Sequence, residues 1–125
     1  MSEKTLQRAV CDYIRYRYPG VMFNSDLAGA TKLTPGQAIA MSNLRDHRVY
    51  PDLAIFEPRN GHYGLFIELK KEGEKIYTRA ETLVADPHIR EQEECLRKLR
   101  SRGYRAEFAV GFDQARAIID DYLTI

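Results

Sequence analysis

Pro51-Asp52-Leu53-Ala54-Ile55-Phe56-Glu57-Pro58-Arg59-Asn60-Gly61-His62-Tyr63-Gly64-Leu65-Phe66-Ile67-Glu68-Leu69-Lys70 is the stretch on which the reading of this chain turns. Two apolar, strand-like runs, 51–56 and 63–69, flank the turn-rich Glu57-Pro58-Arg59-Asn60-Gly61, which predicts a β-hairpin. If its turn centres near Asn60, cross-strand partners have numbers summing to about 120, which sets Asp52 opposite Glu68. Their Cβ atoms would then lie roughly 5 Å apart. Side chains alternate along a strand, so Glu68 and Lys70 share one face while Ile67 and Leu69 point to the other. Two carboxylates and an amine at one point are what metal-assisted cleavage of a phosphodiester requires. A loop of this length has room for a bulge, and a slip of one residue would undo the facing. Glu-X-Lys alone is an ordinary solvated strand end; the buried run before it and the Pro-Asp at matching height set this one apart.

Composition bounds the rest. With 125 residues, the chain is expected to form one domain over 1–125 that buries its own core. Its 44% hydrophobic content, with eight Tyr and five Phe, indicates a globular fold. No apolar stretch approaches the roughly 20 residues that span a bilayer. Met1-Ser2-Glu3-Lys4-Thr5 lacks the apolar core of a secretory signal. Cys11 and Cys95 are far apart and fit reduced, intracellular thiols packed as small apolar residues on helices, so a cytoplasmic protein is expected. A net charge of +1 does not advertise a polyanion partner. Two local clusters, Lys70, Lys71, Lys75 and Arg79, then Arg97, Lys98, Arg100, Arg102 and Arg105, offer phosphate contacts or a mixed solvated surface.

Around the hairpin the remaining elements follow from periodicity and caps. Leu6, Ala9, Val10, Tyr13 and Ile14 predict a helix over 3–18 with Ser2 as N-cap and Pro19-Gly20 as its stop. Val21-Met22-Phe23 reads as a short edge strand, and Asn24 to Leu33, with Gly29, as a loop. Thr34-Pro35 opens a helix through Ala38, Ile39, Met41 and Leu44. Residues 72–79 read as an exposed extension beside the hairpin. Asp86-Pro87 begins a helix with Ile89, Gln92, Leu96 and Leu99 on one face and Gly103 as its left-handed stop. Tyr104, Ala106, Phe108 and Val110 form a half-buried strand, and Asp113 is expected to cap a last helix through Leu123. The outline predicts an α/β fold: a mixed central sheet with parallel pairing across the helical crossover and helices on both faces.

An initial helix with an acid, a hairpin with Pro-Asp and Glu-X-Lys, a crossover helix with Gln92, a strand and a closing helix together resemble the PD-(D/E)XK nucleases, whose core is restriction-endonuclease-like. More narrowly the chain resembles the VRR-NUC branch, through Tyr50-Pro51-Asp52-Leu53, Phe66-Ile67-Glu68-Leu69-Lys70, the helix from Gln92 to Leu99, Gly103-Tyr104, and Ala117-Ile118-Ile119-Asp120-Asp121-Tyr122-Leu123. Val49-Tyr50 stands where the branch commonly has a glycine before Pro-Asp. The resemblance implies that Asp52, Glu68 and the carbonyl of Leu69 hold Mg²⁺ or Mn²⁺, with hard oxygen ligands suited to those ions. Lys70 would orient or help deprotonate the attacking water. Glu3 is the candidate acid of the first helix, holding a metal water or second metal, or else simply complementing the helix dipole. Gln92 would hydrogen-bond Lys70 or the scissile phosphate, or lie exposed at the helix edge. The branch's standalone, often phage-borne members imply a homodimer acting on branched, Holliday-type DNA in a bacterial or phage-infected cell.

His47, His62 and His88 lack metal-ligand spacing and are expected to be loop or surface residues, so no zinc site is predicted. Ser25 and Asp26 have no matching base, and no Gly-rich phosphate loop precedes a helix, which argues against nucleotide hydrolysis. Tyr77, Thr78 and Arg79 read either as DNA contacts or as a solvated tip. Two classes remain: a divalent-metal-dependent DNA endonuclease, and a non-catalytic DNA-binding or assembly module retaining the same fold.

Overall fold

The computed structural model describes residues 1–26 and 32–124. Its centre is a four-stranded mixed sheet in the order β1 (Phe23–Ser25), β2 (Leu53–Ile55), β3 (Leu65–Lys70), β4 (Arg105–Val110). The first two pairings are antiparallel, and β3 runs parallel to β4. Helices α1 (Glu3–Arg17), α2 (Pro35–Ser42), α3 (Pro87–Ser101) and α4 (Gly111–Leu123) complete the chain. The expected α/β architecture with helices on both faces is the one observed.

The hairpin register is the one its turn predicts. Leu53 pairs with Ile67, Ala54 with Phe66 and Ile55 with Leu65, each pair summing to 120. At the tip, Arg59 and His62 exchange both backbone hydrogen bonds around Asn60 and Gly61, whose φ angles of 50° and 80° suit a type I′ turn. The tip pair sums to 121, so one residue of offset is absorbed before the strands begin. The possible slip is confined there and does not reach the strands.

Alternation on β3 sorts the core into two layers. Leu65, Ile67 and Leu69 pack with Leu53 and Ile55 against Leu6, Val10 and Ile14 of α1 and Ala115, Ile119 and Tyr122 of α4. On the opposite face Phe66, Ala106 and Phe108 meet Ile89, Leu96 and Leu99 of α3. Each fully buried aliphatic side chain contributes about 1.5–3 kcal/mol. Two phenols fasten α1 to α4: Tyr13 and Tyr18 each donate to Asp120 Oδ1 at 2.6 Å. Tyr122 in turn donates to the Glu57 carbonyl at 2.6 Å and ties α4 to the hairpin. Cys11 and Cys95 are free thiols buried on α1 and α3.

The predicted caps hold at three helices. Ser2 Oγ accepts from Thr5 N, Thr34 forms a full capping box with Gln37, and Asp86 accepts from His88 N and Ile89 N. Gly103 has φ +94° just after α3. Asp113 does not cap α4: the helix starts two residues earlier at Gly111, Asp113 lies in its first turn, and Gln114 Oε1 accepts from Val110 N. β1 sits at the expected edge but begins at Phe23, taking in Asn24 and Ser25, because its pairing with 53–55 is fixed by β2. Residues 27–31 of the expected loop, Gly29 among them, lie outside the described residues. The 72–79 segment is not wholly an exposed extension, since Ile76 is buried in the α3 layer and Tyr77 bridges to Leu83. Among the described residues no helix is long and apolar enough to cross a membrane.

Gly111 joins β4 to α4 without a loop, at φ +82°. A Cβ there would meet only the Glu72 side chain, at 3.7 Å, so the cost of any other residue is in the backbone. Gly111→Ala is expected to destabilise the fold by about 1–2 kcal/mol. Urea unfolding monitored by circular dichroism checks this, with no change in the slope of the transition.

Candidate active site

Continuing the β2–β3 register one step beyond Leu53 and Ile67 brings Asp52 to Glu68. Each carboxyl group acts on the proton affinity of the other. Asp52 Oδ2 also accepts from the backbone N–H of Leu69 at 2.9 Å, which locks its rotamer across the hairpin. Glu68 and Lys70 share the same face of β3 and are 6% and 4% exposed. That is an unusual depth for either charge, and burial of unneutralised carboxylates is costly. Gln92 reaches down from α3 and donates to Glu68 Oε1 at 2.7 Å.

These groups line one end of a cavity of about 390 Å³, together with Glu3, Asp26, Arg45, Arg48, Glu74 and His88. Five of the sequence-designated residues, Glu3, Asp52, Glu68, Lys70 and Gln92, therefore come together around one space. Leu69 enters through its backbone, its side chain being in the core behind the strand. Gln92 is buried, so it is not a helix-edge side chain; in this structure its amide engages Glu68 and not Lys70. Its Oε1 is a buried acceptor with no protein partner, left to face whatever else the cavity holds.

Electrostatics follow from this burial. Desolvation raises the Asp52 carboxyl above its ordinary pKa; the Leu69 N–H opposes this, Glu3 adds to it, and Lys70 opposes it. Glu68 is raised more strongly, again first by burial and next by the Asp52 charge, with Lys70 pulling the other way. A half-buried and a buried carboxylate that resist ionisation together form a site that a cation would complete. The donor chemistry suits a hard divalent ion: carboxylate oxygens from Asp52 and Glu68, an orphaned amide oxygen on Gln92, and Glu3 at the wall. Among the described residues no three His, Cys, Asp or Glu side chains stand close enough to make a ready-formed metal cage. Backbone carbonyl and water positions would have to complete the shell, as they do for Mg²⁺.

Several residues of the cavity were not singled out by sequence reasoning. Glu74 Oε1 lies 3.9 Å from Lys70 Nζ, brought back by the Lys71–Glu74 turn with Gly73 at φ +91°. The Gly73 signal was readable, but its target was not. His88 is no bystander, since its Nε2 lies 3.2 Å from Gln92 Nε2 one helical turn away. Gln7, buried on α1, donates to Ser25 Oγ and to the Asp26 carbonyl and so holds the end of β1 beside the site. Arg45 pairs with Asp26, and Arg48 with Glu91 of α3. The later basic cluster is largely neutralised: Arg97 pairs with Glu94, Arg100 with Glu93, and Arg105 with Glu107 and Asp121. That is the mixed-surface reading.

A mixed sheet whose antiparallel hairpin carries Pro-Asp and Glu-X-Lys into a cavity, with a parallel fourth strand reached through a helix, is the arrangement that the resemblance to PD-(D/E)XK nucleases led us to expect. A solved structure titled "VRR_NUC domain protein" matches this chain with a TM-score of 0.70 at 26% identity, over 98% of this chain and 88% of that one. No protein-family model and no curated protein sequence matches the chain. The chain is thus similar in structure to the VRR-NUC family of PD-(D/E)XK nucleases, and that fold implies a nuclease.

The raised carboxyl pKa values fix a sign. A carboxyl raised in the folded state contributes stability that is fully present below its unfolded pKa of about 4 and is lost as pH rises through the folded value. In metal-free buffer the protein should therefore lose stability between pH 4 and neutrality and beyond, as Asp52 and then Glu68 are driven to ionise. Glu68→Gln, which keeps an acceptor for Gln92, is expected to melt several degrees above wild type at pH 8 in EDTA, with the gain fading toward pH 4. Differential scanning calorimetry across that range decides it.

Proposed function

We propose that residues 1–125 act as one divalent-metal-dependent DNA endonuclease module that hydrolyses phosphodiester bonds. The observation that carries this is the half-buried Asp52 facing the buried Glu68, with Lys70 on the same strand face, opening into a cavity on a VRR-NUC-like fold. Asp52, Glu68, the Leu69 carbonyl and Glu3 would hold Mg²⁺ or Mn²⁺. Such an ion supplies a bound water of lowered pKa and neutralises charge on the phosphate oxygens.

The chain's own side chains do the rest. Lys70 presents an ammonium into the site, where it orients the attacking water and stabilises the negative charge that builds on the phosphate. It need not be a strong base to do so. The Leu69 N–H holds the Asp52 carboxylate at a fixed angle, and Gln92 holds that of Glu68, so both acids are aimed before substrate arrives. Glu74, on the far side of Lys70, keeps a negative charge beside the ammonium when Asp52 and Glu68 are committed elsewhere. Branched or Holliday-type DNA, cut by a symmetric dimer inside a bacterial or phage-infected cell, is the substrate and setting that the family resemblance supports.

Asp52→Ala and Lys70→Ala are each expected to lower Mg²⁺- or Mn²⁺-dependent cleavage by at least about 10³-fold while DNA binding persists. Labelled linear, flapped and four-way DNA, incubated with and without each ion and mapped on sequencing gels, provides the measurement. Undiminished cutting by both variants would sink the assignment. Inactivity of wild type on all three substrates would favour a DNA-binding module of the same fold.

A further inference from the structure

Gln92 is buried, and which end of its amide faces the cavity decides what it can do there. With the oxygen inward it accepts from a water or ligates a cation; with the nitrogen inward it presents two N–H donors, which oppose a cation. Nε2 lies 2.7 Å from Glu68 Oε1 and 3.2 Å from His88 Nε2. Oε1 has no partner in the protein. Both amide protons are thus engaged by these two neighbours, and the oxygen is left for the cavity.

The contact between the two nitrogens carries its own information. An amide nitrogen donates and does not accept, so His88 Nε2 supplies the lone pair and the ring proton sits on Nδ1. The start of α3 places His88 for this role. Asp86 Oδ1 accepts from the backbone N–H of His88 at 2.8 Å and of Ile89 at 3.2 Å, and Pro87 occupies the first helical position. His88 is thereby set in the first turn, four residues ahead of Gln92 and on the same side of the helix. Unlike Gln92 it is exposed, yet it lines the cavity. Turning the Gln92 amide over would set Oε1 against the Glu68 carboxylate and the imidazole lone pair at once. Two acceptor–acceptor contacts would replace two hydrogen bonds.

We infer that His88 is a positioning residue: by accepting the second amide proton of Gln92, it keeps the Gln92 oxygen turned into the cavity as an acceptor for the cation or a water of its shell. This rests on the metal-dependent reading for what the oxygen meets, and adds the residue that orients it. His88 acts through Gln92, as partners behind a ligand generally do.

Nitrogen NMR of the metal-free protein at pH 8 reads the geometry. The His88 ring is expected as the Nδ1–H tautomer, with a coupling between its Nε2 and Gln92 Nε2 across the hydrogen bond. Mn²⁺ affinity, from electron paramagnetic resonance of the free ion without DNA, reads the consequence. His88→Phe keeps a ring without an acceptor and is expected to bind Mn²⁺ about tenfold more weakly. His88→Gln, whose side-chain oxygen reaches the place of Nε2, should bind nearly as wild type does. In a Gln92→Leu background, His88→Phe is expected to have no further effect, whereas a residue that merely stabilised α3 would lower affinity in both backgrounds. An Nε2–H tautomer, an unchanged affinity in His88→Phe or an equal loss in both backgrounds would overturn the inference. Wild type that binds no Mn²⁺ would refute the metal-dependent reading, and the ring tautomer, read without metal, would still decide whether His88 orients Gln92.

Discussion

Everything at the site depends on the antiparallel register of β2 and β3. It sets two carboxylates against each other where water is scarce, and neither can move away without breaking the ladder that places it. The Leu69 N–H bonded to Asp52 makes the coupling explicit, since a backbone donor of one strand fixes a side chain at the head of the other. A one-residue slip would bury Ile67 and Leu69 in the polar cavity and expose Glu68 and Lys70 to the α1–α4 core. The hydrophobic layers behind the sheet therefore guard the geometry in front of it. Stability and site arrangement are two outcomes of a single alternation along β3.

The site is also an arrangement of destabilising parts. Buried acids that oppose one another, a nearly buried ammonium and an amide oxygen without a partner would each lower the stability of an inert protein. The compensation is visible elsewhere: two apolar layers, the phenol pair on Asp120, and the Tyr122 link from α4 to the hairpin. A fold that keeps such a cluster in place has bound its cost to the surrounding packing, which is how preorganised sites are generally supported.

Much of this was legible in the sequence, for a definite reason. Period-two alternation and an Asn-Gly turn determine register locally, so the facing of Asp52 and Glu68 could be computed from residue numbers alone. Ser2, Thr34, Asp86 and Gly103 act within a few residues of themselves and were readable on the same ground. What stayed hidden depends on packing between distant segments. The apolar pattern of α2 says that it can form a helix, not that a body lies against it. Ile76 looked like part of a polar extension until the α3 layer received it, and Glu74 and His88 gain significance only because turns bring them to Lys70 and Gln92. Asp113 was misread because a glycine at positive φ let α4 start directly from the strand.

Glu3 stands in the first turn of α1 and on the wall of the cavity. The front of the chain is thus part of the site's own architecture, held there by contacts that α1 makes much further along its length, at Tyr13 and beyond. An affinity handle or fusion partner joined ahead of Met1 would emerge beside the acids, while one joined after α4 would leave from the far end of a helix that starts next to Val110, the partner of Lys70. Where a tag is placed therefore decides whether the cavity is studied open or obstructed.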